Sequence, residues 1–84
     1  MNIYIANLSF SILDEELRRL FATYGEVTSA KVVMDKFSNR SKGFGFVEMS
    51  DEKAGQKAVS ELNGSMLDGR PLTVNLARPK KDSW

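Results

Sequence analysis

The chain has neither cysteine nor histidine. Disulfides, thiolate nucleophiles, zinc sites built from Cys and His, and every catalytic triad that needs an imidazole are therefore excluded. A secreted domain this small commonly relies on disulfides, so an intracellular, cytoplasmic location is expected. Long apolar runs are lacking too. The stretch Ile3–Phe10 is interrupted by Asn7 and Ser9 and has no basic segment before it, which fits neither a signal peptide nor a bilayer span. A soluble chain without a membrane partner is expected. With only two prolines, 42% hydrophobic and 27% charged residues, there is material for a packed core and no compositional mark of disorder. Eighty-four residues make one domain.

Net charge is only +1, from 12 basic and 11 acidic residues, but the two signs are unevenly spread. Segments 11–24 and 50–63 have helical periodicity and carry six acids (Asp14, Glu15, Glu16, Asp51, Glu52, Glu61) against four bases. The remainder is left with a net charge of +3. One face of such a domain can attract phosphate while the helical face stays acidic.

Along the chain, Ile3–Leu8 reads as a strand, and Leu13, Leu17, Leu20, Phe21 and Tyr24 form a helical stripe opened by Ser11 and closed by Gly25. Val27–Met34 reads as a second strand, Asp35–Ser41 as a loop in which Asn39 supplies a positive φ, and Phe44–Met49 as a third strand. Ser50 then caps a second helix bearing Ala54, Ala58 and Leu62, which ends at Asn63-Gly64. The turn Asp68-Gly69 leads to a fourth strand, Leu72–Ala77. This order, strand-helix-strand-strand-helix-strand, predicts an α+β domain of the ferredoxin-like, split β-α-β type. It has a four-stranded antiparallel sheet with two helices on one face. The opposite face of the sheet is left open.

Side chains alternate along a strand, so Phe44, Phe46 and Glu48 share one face and Gly45, Val47 and Met49 the other. Hydrophobicity alone would bury the phenylalanines. Glu48 argues against that, and Gly45 suits a close approach of helix to backbone on the inner side. By the same rule Ile3 and Ile5 face the core, leaving Tyr4 outside. Exposed aromatics on neighbouring strands mark a contact surface.

Lys42-Gly43-Phe44-Gly45-Phe46-Val47-Glu48-Met49 resembles the octamer of the RNA recognition motif (RRM) at every position but the last. Ile3-Tyr4-Ile5-Ala6-Asn7-Leu8 resembles that family's hexamer on the first strand. The similarity runs from Ile3 to Pro79, including Leu17, Phe21, Tyr24-Gly25, Asn63-Gly64 and Gly69-Arg70, and gives an RRM domain over 1–79 with a charged tail over 80–84. It is similar in compactness to the small stand-alone RRM proteins of bacteria, and equally to a piece cut from a longer protein. What the resemblance implies is single-stranded RNA binding, with single-stranded DNA as an alternative ligand. Bases would stack on Tyr4 and Phe44, Phe46 would pack on sugars or a second base, and Lys42 would meet phosphate. Lys31 and Asn75 fall at outward positions that resemble family contact sites, and Arg40 and Arg78 would track the backbone. Phe37 and Trp84 are further aromatics outside the two motifs. Two departures stand out: Met49 replaces a final aromatic, and Leu13 stands where the family often has a helix-capping threonine.

Other functions fit the residues less well. A small hydrolase of the acylphosphatase kind needs an arginine and a phosphate-cradling loop after the first strand, which Leu8-Ser9-Phe10-Ser11 does not provide. The Gly43-x-Gly45 pair lacks the third glycine of a nucleotide-binding turn and lies in a strand. Peptide-binding relatives of the fold tend to lose the sheet aromatics, all of which are present here. The expectation is a monomeric, non-enzymatic RNA-binding protein without cofactor, metal or small-molecule substrate, with a protein-interaction module as the alternative.

Overall fold

The computed structural model describes residues 1–77. Its elements are β1 (Asn2–Ala6), α1 (Asp14–Ala22), β2 (Val27–Met34), β3 (Ser41–Met49), α2 (Glu52–Leu62), β4 (Met66–Leu67), β5 (Arg70–Pro71) and β6 (Thr73–Ala77). Four strands form an antiparallel sheet in the order β2-β3-β1-β6, and β4 and β5 form a separate two-stranded hairpin. The expected ferredoxin-like α+β fold is the one observed. The hairpin is an addition to it.

Period-two alternation decides the core. Ile3 and Ile5 of β1, Val32 of β2, Val47 and Met49 of β3 and Val74 of β6 are all buried, together with Leu17 and Phe21 of α1 and Ala54, Ala58 and Leu62 of α2. Both helices thus serve one face of the sheet. Two glycines permit close approach there. A Cβ on Gly45 would lie 2.5 Å from the Lys31 carbonyl oxygen and 3.2 Å from Leu17 Cδ2, and one on Gly25 would lie 2.6 Å from Ala54 Cβ.

Three helix boundaries differ from the sequence expectation, each for a local reason. Helix α1 starts after Leu13 instead of Ser11, because the Ser11 hydroxyl is engaged elsewhere and Ile12 turns into the core. Leucine has no acceptor to offer, so the capping is one-sided: Glu16 Oε1 accepts from the Leu13 N–H at 3.1 Å. The helix ends at Ala22, before Gly25, whose role is clearance against α2. Helix α2 is capped by Asp51, which accepts from the Lys53 N–H, while the neighbouring Ser50 hydroxyl donates to Glu26.

Strand β1 stops at Ala6 because Asn7 takes φ 61°, and the β2–β3 loop turns through Asn39 at φ 61°, as expected. Strand β3 begins three residues earlier than the apolar run, at Ser41. Asp68 and Gly69, at φ 54° and 82°, form the tight turn of the hairpin, and β6 starts at Thr73.

The two edge strands are closed by side chains from the helix ends. Asp14 Oδ1 accepts from the Val32 N–H of β2 at 2.8 Å, and Asn63 Oδ1 accepts from the Val74 N–H of β6 at 3.1 Å. Each removes one open donor from a sheet edge.

Replacing Val47 by alanine removes a fully buried side chain on the inner face and leaves the outer face intact. Urea denaturation is expected to show a loss of about 2 kcal/mol in unfolding free energy.

Candidate nucleic-acid interface

The outer face of the sheet is organised in rungs. Asn75 of β6 pairs with Tyr4 of β1, Tyr4 with Phe46 of β3, and Phe46 with Lys31 of β2, so four of the expected site residues form one line across the sheet. A second rung places Thr73, Ala6 and Phe44 side by side, and a third Ala77, Asn2, Glu48 and Ser29. The first two rungs bring the three aromatics together. Tyr4 lies 5.9 Å from Phe44 and 5.5 Å from Phe46 between ring centroids, tilted by 45° and 51°, and Phe44 meets Phe46 edge to face at 6.3 Å. These separations are those of mutually supporting aromatic pairs. Tyr4 and Phe44 are half-buried against their neighbours and Phe46 is 39% exposed, while the residues between them along the strands (Ile3, Ile5, Gly45, Val47) are buried. The aromatics are therefore an outer surface and not core.

Cations flank this surface. Lys31, Arg40 and Lys42 are all exposed, and the single ion pair among the described residues is Arg19 with Glu15 at 3.9 Å, on α1. The three basic groups thus have no acidic partner among the described residues. Lys42 and Arg40 precede Phe44 at the start of β3, whereas Glu48, the acid of this face, lies beyond Phe46 at the other end. Arg78 and Trp84 lie outside the described residues.

At the Arg40 end the β2–β3 loop is closed by its own bonds. The Asp35 N–H donates to the Arg40 carbonyl at 2.7 Å, and Asp35 Oδ1 accepts from the Phe37 N–H at 2.8 Å. Phe37 itself is 99% exposed and joins no aromatic cluster.

Two features were missed from the sequence. The first is a clasp between the β1–α1 loop and the β4–β5 hairpin. Asn7 Nδ2 donates to the Pro71 carbonyl at 2.7 Å, Arg70 donates to Asn7 Oδ1 at 3.0 Å, and the Ser11 hydroxyl donates to Asp68 Oδ2 at 2.8 Å. Asn7 thus ties the β1–α1 loop to the β4–β5 hairpin. Partners more than fifty residues apart leave no local pattern to find. Hydrogen bonds from Ser9 and Ser11 hold the Asp68 carboxyl below its ordinary value. The second is Phe10, 64% exposed, with its ring edge beside Gly43. Its signal was an aromatic between two serines, out of phase with the apolar stripe of α1.

No three His, Cys, Asp or Glu residues among those described are grouped so as to hold a metal, and no described helix is long and apolar enough to cross a membrane.

A split β-α-β domain whose uncovered sheet carries contiguous aromatics flanked by exposed cations defines a class by fold and surface together. Comparison makes it particular: residues 3–73 match the model of the RNA recognition motif, and the chain belongs to that family. It is 44% identical over 77 residues to glycine-rich RNA-binding protein 8 of Arabidopsis thaliana, covering 92% of this chain and 46% of that protein. It is 42% identical over 82 residues to the putative RNA-binding protein RbpE of a Nostoc strain, covering 98% of this chain and 83% of that protein. The chain thus spans less than half of the plant relative and most of the Nostoc one. Among solved structures, RNA binding protein PG1 superposes with a TM-score of 0.90 at 46% identity, over 95% of this chain and 99% of that one. The Sxl-lethal protein in its RNA complex gives 0.86 at 35% identity, over 90% of this chain and 47% of that one.

The clasp has a pH dependence of definite sign. A carboxyl whose folded pKa is lowered contributes stability above its unfolded pKa, and that contribution is lost as pH falls through the folded value. Ser11→Ala is expected to move the Asp68 titration, followed by NMR, back toward its ordinary 3.8. The clasp of the wild type is expected to loosen only below that pH.

Proposed function

We propose that this protein binds single-stranded RNA on the open face of its sheet. Bases stack on Tyr4 and Phe44, and Phe46 packs against a sugar or a further base. Lys42, Lys31, Arg40 and Arg78 meet phosphates, and Asn75 offers hydrogen bonds to a base edge. The observation that carries this reading is the rung Asn75–Tyr4–Phe46–Lys31, with Phe44 beside it, which offers π faces between a polar and a cationic end. The RNA in the Sxl-lethal complex and the RNA-binding relatives support it. A duplex is a poor ligand, because its bases are already stacked on one another.

Magnitudes agree with a modest binder of a few nucleotides. Stacking is worth roughly 1–3 kcal/mol per base, so two or three aromatics supply about 3–8 kcal/mol before ordering costs. A 1 μM complex needs about 8 kcal/mol. Engaging three or four phosphates of a single strand gives a salt slope of roughly −2 to −3. Single-stranded DNA fits the same stacking surface, and discrimination against it rests on contacts to the 2′-hydroxyl. The biological reading is RNA regulation or RNA chaperoning by a monomer in the cytoplasm, with residues 1–79 as the binding unit.

Titration with a pool of short randomised RNAs, followed by NMR at two salt concentrations, is expected to shift Tyr4, Phe44 and Phe46 first. Tyr4→Ala and Phe44→Ala are each expected to weaken binding about tenfold with little loss of fold, the reverse of Val47→Ala. Equal affinity in all three variants would overturn the stacking model. An absence of shifts at low salt would redirect attention to the helical face and a protein partner.

A further inference from the structure

The third rung of the outer face carries polar chemistry that neither stacking nor phosphate contact uses. Asn2 of β1 pairs with Glu48 of β3, and Glu48 with Ser29 of β2, so an amide, a carboxylate and a hydroxyl stand side by side across three strands. All three residues are exposed. They lie on the same side of the sheet as Tyr4, Phe46 and Lys31, two residues further along each strand. Two residues of strand span about 6.5 Å, so a base lying on Tyr4 with its edge turned along the strands meets this rung.

The three side chains are free to meet it. Among the described residues the Glu48 carboxylate accepts no hydrogen bond and joins no ion pair, although Lys31 lies on the diagonal from it, and the Asn2 amide and Ser29 hydroxyl make no hydrogen bond. The Glu48 backbone is held in place, because Thr28 Oγ1 donates to its carbonyl at 3.0 Å. A carboxylate only accepts hydrogen bonds and repels a phosphate, so its partner on a nucleic-acid surface is a base edge that offers donors.

The four bases differ sharply in that respect. Guanine presents two adjacent donors on its Watson–Crick edge, N1–H and the N2 amino group, which match the two oxygens of a carboxylate. Adenine and cytosine each set one amino group beside an acceptor nitrogen, and uracil sets a single N–H between two carbonyl oxygens that a carboxylate repels. Asn2 and Ser29, on either side of Glu48, each supply a donor for the guanine O6.

From this rung we infer that Glu48 is a specificity-determining residue that selects guanine for the base stacked on Tyr4. The inference rests on the RNA-binding reading above and adds base selection to it. It gives the two ends of the open face different work: phosphates lie toward Arg40 and Lys42, and a base edge points toward Glu48.

The test is fluorescence anisotropy with labelled RNAs of about six nucleotides in which uridine alternates with guanosine, inosine or adenosine, and with oligouridylate. The intact chain is compared with Glu48→Gln and Phe44→Ala. Adenosine controls for the stronger stacking of a purine, and inosine keeps the guanine ring but lacks the N2 amino group. The intact chain is expected to bind the guanosine RNA about tenfold more tightly than the adenosine RNA and oligouridylate, with inosine forfeiting most of that preference. In Glu48→Gln the preference for guanosine over adenosine is expected to fall within about twofold, while loss of a negative charge strengthens binding to every RNA alike. Phe44→Ala is expected to weaken all four and keep the preference. A guanosine preference in Glu48→Gln equal to that of the intact chain, or none in the intact chain, overturns the Glu48 assignment and leaves the sheet reading standing if Phe44→Ala is impaired. Equal weakening of Glu48→Gln for all four RNAs, with a lower unfolding midpoint in urea, overturns it in favour of a purely structural Glu48. Unchanged affinity in Phe44→Ala overturns the sheet reading itself.

Discussion

The antiparallel register between β1 and β3 pairs Ile3 with Val47, Tyr4 with Phe46, Ile5 with Gly45 and Ala6 with Phe44. Because side chains alternate, burying Ile3, Ile5 and Val47 and presenting Tyr4, Phe44 and Phe46 are one event. A slip of one residue would send the isoleucines outward and the tyrosine into the core. Each buried isoleucine or valine is worth about 1.5–3 kcal/mol, against a total stability of about 5–15 kcal/mol for a typical domain. The inner face therefore holds the outer one in place. The aromatics can remain exposed because their burial is not what the fold depends on.

Around that pairing, polar side chains finish what backbone bonding leaves open. Asp14 and Asn63 satisfy donors on the two edge strands, and both come from helix ends, so each helix is tied to its strand by a polar bond as well as by core packing. At one end of the sheet, Asn7, Arg70, Ser11 and Asp68 join loops remote in sequence. That end also holds Gly43 and the cations Arg40 and Lys42, while Glu48 occupies the other. The open face is thus polarised along the strands. A polyanion has an electrostatic reason to favour the Lys42 side, and the clasp holds firm the loop beside it.

Much of the site was legible from residue order. Glu48 on the same strand face as Phe44 and Phe46 showed which side was outward, and the pairing of isoleucines around Tyr4 said the same of β1. Lys31 and Asn75 were assigned outward by the same alternation, and both are exposed. Boundaries were less legible. Ser11 and Ser50 are good capping residues by type, yet their hydroxyls bind Asp68 and Glu26, and caps fall at Leu13 and Asp51. A serine's choice between a nearby backbone donor and a distant carboxylate is made by tertiary proximity.

Periodicity and residue type by themselves determined the order of the two helices and the four strands of the main sheet, the inward and outward faces of those strands and the identity of the aromatic residues. Each of those follows from local geometry that repeats every two or 3.6 residues. Only the tertiary structure decided that Asn75, Tyr4, Phe46 and Lys31 share one rung, that the hairpin clasps the β1–α1 loop, and that Phe10 borders Gly43. Those facts depend on strand order and on contacts between residues far apart in the chain, and no local pattern carries that information.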